Sequence, residues 1–218
     1  MFRIKICGVV GPEDARMVAE SGADALGLNF YSRSVRCVTA AQAKSIAAAA
    51  PGVMRVGLFV NEQPQMIRGI AEFVGLDCLQ LHGDESPDQL ELLSPWPVIK
   101  AFRVELSNRE QVREAARDWL ERGAAGILLD AAQRPGEYGG GGEPADWLVA
   151  AELVECLNGP VILAGGLNPE NIELAIEAVR PYGVDAASGV ESTPGRKDQA
   201  ACCRFADAAK RGLKLESE

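Results

Sequence analysis

Eight short apolar runs divide this chain of 218 residues from end to end, and each is followed by a stretch with helical spacing. A helical stretch such as 108–122 places its apolar residues three and four positions apart, so that they share one face. Strands that alternate with helices in this way predict an α/β protein whose parallel sheet is covered by helices. The strand-like runs lie near 2–6, 24–29, 53–60, 77–81, 97–101, 125–129, 160–164 and 184–187.

Eight such units predict a single closed (β/α)8 barrel, a TIM barrel with parallel strands and short connections. An open doubly wound sheet has the same local pattern, but the Gly-x-Gly-x-x-Gly turn that often follows its first strand is missing. No linker divides the sequence, so we expect one barrel domain over residues 1–218. Asn168 and Pro169 predict a helix that begins at the proline. The longest irregular stretch, 131–144, follows the sixth strand, and its length suggests a functional loop.

Charge and composition exclude several classes of protein. The net formal charge is −9, and nothing resembles the basic patch of a nucleic-acid-binding protein. The longest apolar stretches are about as long as a strand, well below the roughly 20 residues that cross a bilayer. The N-terminus shows no basic region followed by an apolar one, as a secretion signal would. We therefore expect a cytoplasmic protein that binds neither membrane nor nucleic acid.

The six cysteines give no metal-binding pattern. No Cys-x-x-Cys pair occurs, and a chain with one histidine cannot complete a zinc-finger pattern. In a reducing compartment we expect free thiols and no bound metal. Cys78 and Cys156 lie in apolar surroundings, which is typical of small core residues.

Two side chains that can transfer protons stand at the ends of predicted strands. Cys7 ends the first strand and Asp130 ends the sixth. In a parallel barrel the C-terminal strand ends surround the active-site mouth, so the two groups would face each other across a substrate. Cys7 would be a base, a nucleophile or an inert core residue, and Lys5 beside it would hold a thiolate or form a structural ion pair. Asp130 would be a general acid or a helix cap, and a metal ligand is disfavoured.

Two turns of the predicted barrel carry glycines where barrels often bind phosphate, after the seventh and eighth strands. Glycine lets the backbone approach an anion, and exposed N–H groups supply the donors. The alternative is that the glycines only make tight turns, but glycine-bearing turns at both expected positions favour phosphate binding. Arg36, after the second strand, would bind a carboxylate or phosphate, or be solvated. The stretch 138–142 would be a lid hinge, a ligand contact or a surface excursion. The turns contain Gly165, Gly166, Ser188 and Gly189.

Several short stretches, in order and at the matching barrel positions, resemble the phosphoribosylanthranilate isomerase family of tryptophan biosynthesis. The resemblance covers essentially the whole chain. It implies an Amadori rearrangement that converts N-(5-phosphoribosyl)anthranilate, an aminoaldose, into the aminoketose 1-carboxyphenylamino deoxyribulose phosphate. No cofactor is implied, and the partner is this small phosphoribosyl substrate. The stretches are 5–8, 27–30, 56–61, 79–85, 129–130, 163–171 and 188–191.

The resemblance also implies a role for each candidate residue. Asp130 would be the general acid that protonates the ring oxygen, and Cys7 the general base that removes the C2′ hydrogen. Arg36 would hold the anthranilate carboxylate, and Asp185 would lie near the anthranilate moiety. His82 matches the family pattern without an assigned role. The phosphate would be bound by the turns at Gly165, Gly166, Ser188 and Gly189.

Three departures from the family pattern are expected to weaken single contacts to the substrate rather than to abolish the function. The loop that carries Arg36 lacks the usual prolines, Gly141 replaces a threonine, and Ala187 replaces a serine beside the phosphate. The nearest rival is the histidine-pathway isomerase, which resembles this barrel but has an aspartate in place of Cys7. A non-catalytic phosphosugar-binding barrel is disfavoured because both Cys7 and Asp130 are present. A redox-sensing thiol protein is disfavoured because Cys7 has no recognisable resolving partner.

Overall fold

Eight parallel strands close into a barrel within the described residues, which are 1–131 and 144–215 of this computed structural model. The strands are β1 (Ile4–Cys7), β2 (Ala25–Asn29), β3 (Met54–Phe59), β4 (Cys78–Leu81), β5 (Val98–Val104), β6 (Gly126–Ala131), β7 (Val161–Ala164) and β8 (Gly183–Ala186). Each strand pairs with the next along the chain, and β8 pairs with β1. The predicted TIM barrel is therefore confirmed, because an open sheet would leave its first and last strands apart.

Helices follow the strands and cover the outside of the barrel. They are α1 (Pro12–Ser21), α2 (Ala40–Ala49), α3 (Pro64–Val74), α4 (Gln89–Leu92), α5 (Arg109–Glu121), α6 (Pro144–Cys156), α7 (Ile172–Val179) and α8 (Gln199–Gly212). After β8 the chain forms a short 3-10 helix (Ser188–Val190) and a hairpin of β9 (Glu191–Thr193) and β10 (Arg196–Lys197). In the described part of the chain, none of these helices has the length and apolar character that a bilayer crossing needs.

The strands are buried on both faces, which explains why they read as continuous apolar runs rather than alternating ones. One apolar core lies between the barrel and its helices, and a second fills the barrel interior. The interior core contains Phe2, Ala25, Val56, Cys78, Ile99, Ala101, Leu128, Ile162 and Ala164. The exceptions to this apolar filling are polar side chains that lie close to the C-terminal strand ends, where the site is built.

Of the two cysteines predicted to be core residues, one is in the core and the other is not. Cys78 is buried in the barrel interior as expected, but Cys156 is exposed near the end of α6, so its assignment to the core is wrong. Its apolar neighbours Leu153 and Leu157 are buried one helical turn apart on the inner face, and Cys156 lies off that face. None of the six cysteines forms a disulfide.

The helix after β7 begins at Ile172, three residues later than the sequence predicts. The Asn168 side chain does act as a local cap, but it accepts hydrogen bonds from the backbone N–H groups of Glu170 and Asn171 at 2.9 and 3.0 Å, which makes a turn. The Asn171 amide in turn donates to the Gly166 carbonyl at 3.0 Å. The residues 168–171 thus brace the glycine turn instead of starting the helix.

Candidate active site

A central cavity of about 240 Å³ opens at the C-terminal strand ends, which is the predicted mouth of the barrel. Seven of the eight predicted site residues line it: Cys7, Arg36, Asp130, Gly165, Gly166, Asp185 and Ser188. A larger side cavity of about 670 Å³ adjoins it and shares the side chains of His82 and Asp130. The expectation that the thiol and the carboxyl group reach one mouth is therefore met by the geometry.

Gly189 does not line the central cavity, and its position has a packing reason. A Cβ atom placed on Gly189 would collide with the carbonyl of Leu167 and would lie 2.9 Å from Cβ of Asn168. A glycine here lets the turn after β8 lie directly against the turn after β7. The two predicted phosphate turns are thus adjacent, and both contribute backbone to the same cavity wall.

The Cys7 side chain ends β1 with only 6% of its surface exposed, next to the left-handed turn at Gly8 (φ 75°). Burial raises the pKa of the thiol, and Asp185 acts in the same direction. The charge and hydrogen bond of Lys5, with a smaller effect of Lys197, lower it but do not outweigh burial. A cation does stand beside the thiol as the sequence suggested, yet the protonated form is favoured at neutral pH.

Lys5 forms the structural ion pair, one of the two roles that the sequence left open. Its Nζ lies 2.7 Å from Oδ2 of Asp185 on the neighbouring strand β8, and its side chain is fully buried. Burial lowers the pKa of Lys5, but Asp185 and the Cys7 thiol together bring it above its ordinary value, so the ammonium is charged. The ion pair fixes Lys5 beside Cys7, and it leaves Oδ1 of Asp185 buried without a hydrogen-bond partner among the described residues.

Asp130 is the penultimate residue of β6, three strands from β1 around the barrel, and more than a third of its side chain is exposed. Its Oδ2 lies 3.6 Å from Nε2 of His82, at the end of β4. On the other side of the ring, Nε2 of Gln80 lies 3.3 Å from Nδ1 of His82. An amide N–H donates here, so Nδ1 accepts and the ring proton is placed on Nε2, toward Asp130. No role for His82 followed from the sequence, and the structure places it next to the candidate acid.

Arg36 is held by a residue to which the sequence assigned no role. Its Nε and Nη2 each donate to one oxygen of Glu191 at 2.7 Å, a forked ion pair. The buried Lys197 of β10 donates to the same carboxylate at 2.8 Å and to the carbonyl of Ala187 at 2.9 Å. Burial raises the pKa of Glu191, but Arg36 and Lys197 bring it below its ordinary value. Two cations and one carboxylate leave this cluster one net positive charge.

The loop that presents Arg36 reaches its conformation without the prolines of the resembled family. Asn29 accepts a hydrogen bond from the backbone of Tyr31 at 2.8 Å and donates to Ser34 at 3.2 Å. The Ser34 hydroxyl then accepts from the backbone N–H of Arg36 at 3.1 Å. These hydrogen bonds restrict the loop conformation where the family's prolines would otherwise do so. Of the other two departures, Ala187 takes part through its backbone carbonyl, which accepts the hydrogen bond from Lys197. Gly141, in the stretch 138–142, lies outside the described residues.

The described residues contain no cluster of three or more histidine, cysteine, aspartate or glutamate side chains arranged to hold a metal ion. What the mouth does offer is a thiol and a carboxyl group facing one cavity, a forked cation, and two adjacent backbone turns. This set can bind a small anionic molecule and can move protons to and from it by general acid and base steps.

Comparison with known proteins agrees with this geometry. The sequence model of the family described as N-(5′-phosphoribosyl)anthranilate isomerase matches residues 4–208. The N-(5′-phosphoribosyl)anthranilate isomerase of Rubrobacter xylanophilus is 44% identical over 217 residues, covering 96% of this chain and 100% of that protein. The crystal structure of phosphoribosyl anthranilate isomerase from Thermotoga maritima superposes with a TM-score of 0.84 at 40% identity, covering 97% of this chain and 100% of that one. A further crystal structure of such an isomerase, in complex with reduced 1-(o-carboxyphenylamino)-1-deoxyribulose 5-phosphate, has a TM-score of 0.82 at 37% identity, with coverage of 97% and 100%.

Proposed function

The chain belongs to the N-(5′-phosphoribosyl)anthranilate isomerase family, and from this membership we propose the part that each residue of the mouth plays in the reaction. The enzyme catalyses the Amadori rearrangement of N-(5-phosphoribosyl)anthranilate to the corresponding aminoketose in tryptophan biosynthesis. Its substrate is a small molecule that carries a phosphate and a carboxylate. As a biosynthetic enzyme of this pathway, we infer that it acts in the cytoplasm.

Asp130 acts as the general acid. It protonates the oxygen of the furanose ring, the ring opens, and the anthranilate nitrogen becomes a positively charged Schiff base. This assignment is supported by the exposed position of the carboxyl group at the end of β6. It is also supported by His82, whose Nε2 faces the carboxyl group at a distance of 3.6 Å.

Cys7 acts as the general base. The Schiff base acidifies the hydrogen on C2′, the thiolate removes it, and the resulting enolamine becomes the keto product. Because burial raises the pKa of Cys7, the thiolate is scarce but is a stronger base than an ordinary cysteine thiolate. Lys5, which is ion-paired to Asp185, stabilises that thiolate when it forms.

The remaining residues bind the two anionic ends of the substrate. Arg36 holds the anthranilate carboxylate with the part of its guanidinium that Glu191 leaves available, and Asp185 lies near the anthranilate moiety. The net positive charge of the Arg36 cluster favours a carboxylate, although the whole protein is negative. The phosphate is bound by backbone N–H groups of the adjacent turns, at Gly165, Gly166 and Ser188, while Gly189 lets the second turn pack against the first.

One observation carries these assignments: Cys7 and Asp130, on separate strands, line the same cavity of about 240 Å³ as Arg36 and both glycine turns. An acid and a base that act on opposite sides of one sugar need this convergence. Residues that were only structural would have no reason to face a shared space.

The test compares purified variants in a steady-state assay of isomerisation. Cys7→Ala and Asp130→Asn should each lower kcat/KM by about 10²–10⁴-fold while circular dichroism shows an unchanged fold. The matched controls are Cys156→Ala and Asp207→Asn, which change exposed helix residues and should retain full activity. Growth of a tryptophan auxotroph lacking the isomerase gives a second readout. Either site variant with wild-type kcat/KM would remove its assigned role.

A further inference from the structure

Gln80 is a buried amide with an acceptor that the described residues leave unpaired. It lies on β4 with 1% of its surface exposed, and it lines the central cavity together with Cys7 and Asp130. Its Nε2 contacts His82, but its Oε1 has no hydrogen-bond partner among the described residues. Buried polar atoms of native proteins are almost always paired, so an unpaired one in a residue that lines a cavity indicates a missing donor.

The neighbouring strands offer Gln80 no such donor. Its register partners are Leu58 on β3 and Ile99 on β5, both apolar. The residue two positions earlier on the same strand is Cys78, part of the apolar barrel interior. Packing alone would therefore favour an apolar side chain at position 80. The amide occupies the level at which the filled interior ends and the cavity begins.

A second unpaired acceptor lines the same cavity. Oδ1 of Asp185, on β8, is also buried without a partner among the described residues, while Oδ2 of the same group is bound to Lys5. Two acceptors facing one space call for a ligand that brings hydrogen-bond donors. Hydroxyl groups meet this need without adding charge, and a phosphoribosyl substrate carries them on its sugar.

We propose that Gln80 is a substrate-binding residue whose Oε1 accepts a hydrogen bond from a hydroxyl group of the ribose portion. The contact between Nε2 and His82 fixes the orientation of the amide, which lines the cavity. The inference rests on the proposed function, because it needs a polyhydroxylated ligand between Cys7 and Asp130. It adds a sugar contact on β4 to a site that otherwise binds the two charged ends.

The experiment measures dissociation constants by calorimetry for three probes: reduced 1-(o-carboxyphenylamino)-1-deoxyribulose 5-phosphate, anthranilate and inorganic phosphate. Gln80→Met keeps the length of the side chain and removes its polar atoms. We expect it to weaken binding of the hydroxyl-bearing probe by about 10–100-fold and to leave anthranilate and phosphate unchanged. Gln89→Met is the matched control, since Oε1 of Gln89 is also buried without a partner in the described part of the chain but does not line the cavity. It should leave all three dissociation constants unchanged.

The ligand-free melting temperature separates binding from structure. Gln80→Met removes the unpaired acceptor and also the contact of Nε2 with His82, a loss of about 1 kcal/mol at most. Its melting temperature should therefore stay within roughly 4 °C of the wild type, while stabilisation by the hydroxyl-bearing probe is lost. Equal affinity of Gln80→Met and wild type for that probe would overturn the inference, and so would equal weakening of all three probes. Failure of the wild type itself to bind the probe would instead count against the proposed function.

Discussion

Gly27 offers the sharpest test of where the proposed catalytic thiol, Cys7, lies. It sits on β2 directly opposite Cys7 of β1 in the strand register. A Cβ atom at position 27 would lie 2.6 Å from the sulfur of Cys7 and 2.9 Å from its Cα. Ordinary contacts of such an atom begin near 3.4 Å, so Gly27→Ala must displace the thiol, its strand, or both by close to 1 Å. The change adds only a methyl group, which clashes with Cys7 but supplies no group that could take part in the chemistry.

The expected size of the effect follows from packing and from catalysis separately. Overfilling a packed site costs about 1–3 kcal/mol, and for a protein of this size each kcal/mol lowers Tm by roughly 2–4 °C. Displacing a catalytic group by about 1 Å costs on the order of 10²-fold in rate. We therefore expect Gly27→Ala to remain folded at 25 °C, to melt at a lower temperature, and to lose about 10²-fold in kcat/KM.

The same substitution on α3 supplies the control. Gly69 is exposed within the helix, and a Cβ atom there would meet no other atom within 4 Å. Gly69→Ala should raise stability by about 0.8–1 kcal/mol through helix propensity and leave kcat/KM unchanged. Thermal melts followed by circular dichroism and steady-state kinetics measure both variants. If Gly27→Ala matched the wild type in Tm and in kcat/KM, the thiol would not occupy the position on which the mechanism depends.

Two further predictions concern charge. Lys197→Met removes a cation from the Arg36–Glu191 cluster and should raise KM about fivefold with a smaller change in kcat, since about 1 kcal/mol is typical of one net hydrogen bond. Lys197→Arg should recover part of the loss, and an unchanged KM in steady-state assays would contradict the prediction. Burial raises the pKa of Cys78 from 9.0 to about 12, so this thiol does not affect the free energy of unfolding below pH 9 and lowers it above pH 9, where only the unfolded chain ionises. In urea titrations above pH 9, the free energy of unfolding should fall by about 1.4 kcal/mol per pH unit more steeply in the wild type than in Cys78→Ala, and equal slopes in the two proteins would refute the prediction.

The strands and the convergence of the site could be predicted because both depend on a repeated local pattern. Continuous apolar runs mark strands buried on two faces, and the end of each run marks a position in the mouth. Cys7 and Asp130 follow from that rule alone. The start of α7 could not be predicted, because Asn168 caps either a helix or a turn, and the choice depends on the tertiary contact of Asn171 with Gly166.

The contacts that position Arg36 had no signal in the sequence. Glu191 lies 155 residues further along the chain, and Lys197 reaches it only because the hairpin of β9 and β10 folds back after β8. The direction in which the pKa of Cys7 is shifted could not be predicted from the sequence either. A sequence shows that Lys5 is near, but whether its charge or the burial of the thiol dominates depends on how completely the surrounding side chains exclude water.

The distribution of buried charge explains how a chain of net charge −9 can bind a substrate with two anionic groups. Buried ion pairs contribute little to stability, because desolvation offsets much of their attraction. The barrel interior is filled by apolar residues and does not need buried ion pairs for its stability. The buried Lys5 and Lys197 nevertheless stand at the mouth, each against a carboxylate, and the second pair also holds Arg36. Since salt screens charges beyond roughly 8–10 Å, the substrate responds to this local arrangement more than to the acidic surface. The pairs keep cations in place where an uncompensated buried cation would lose its proton, and they leave one positive charge available for a carboxylate.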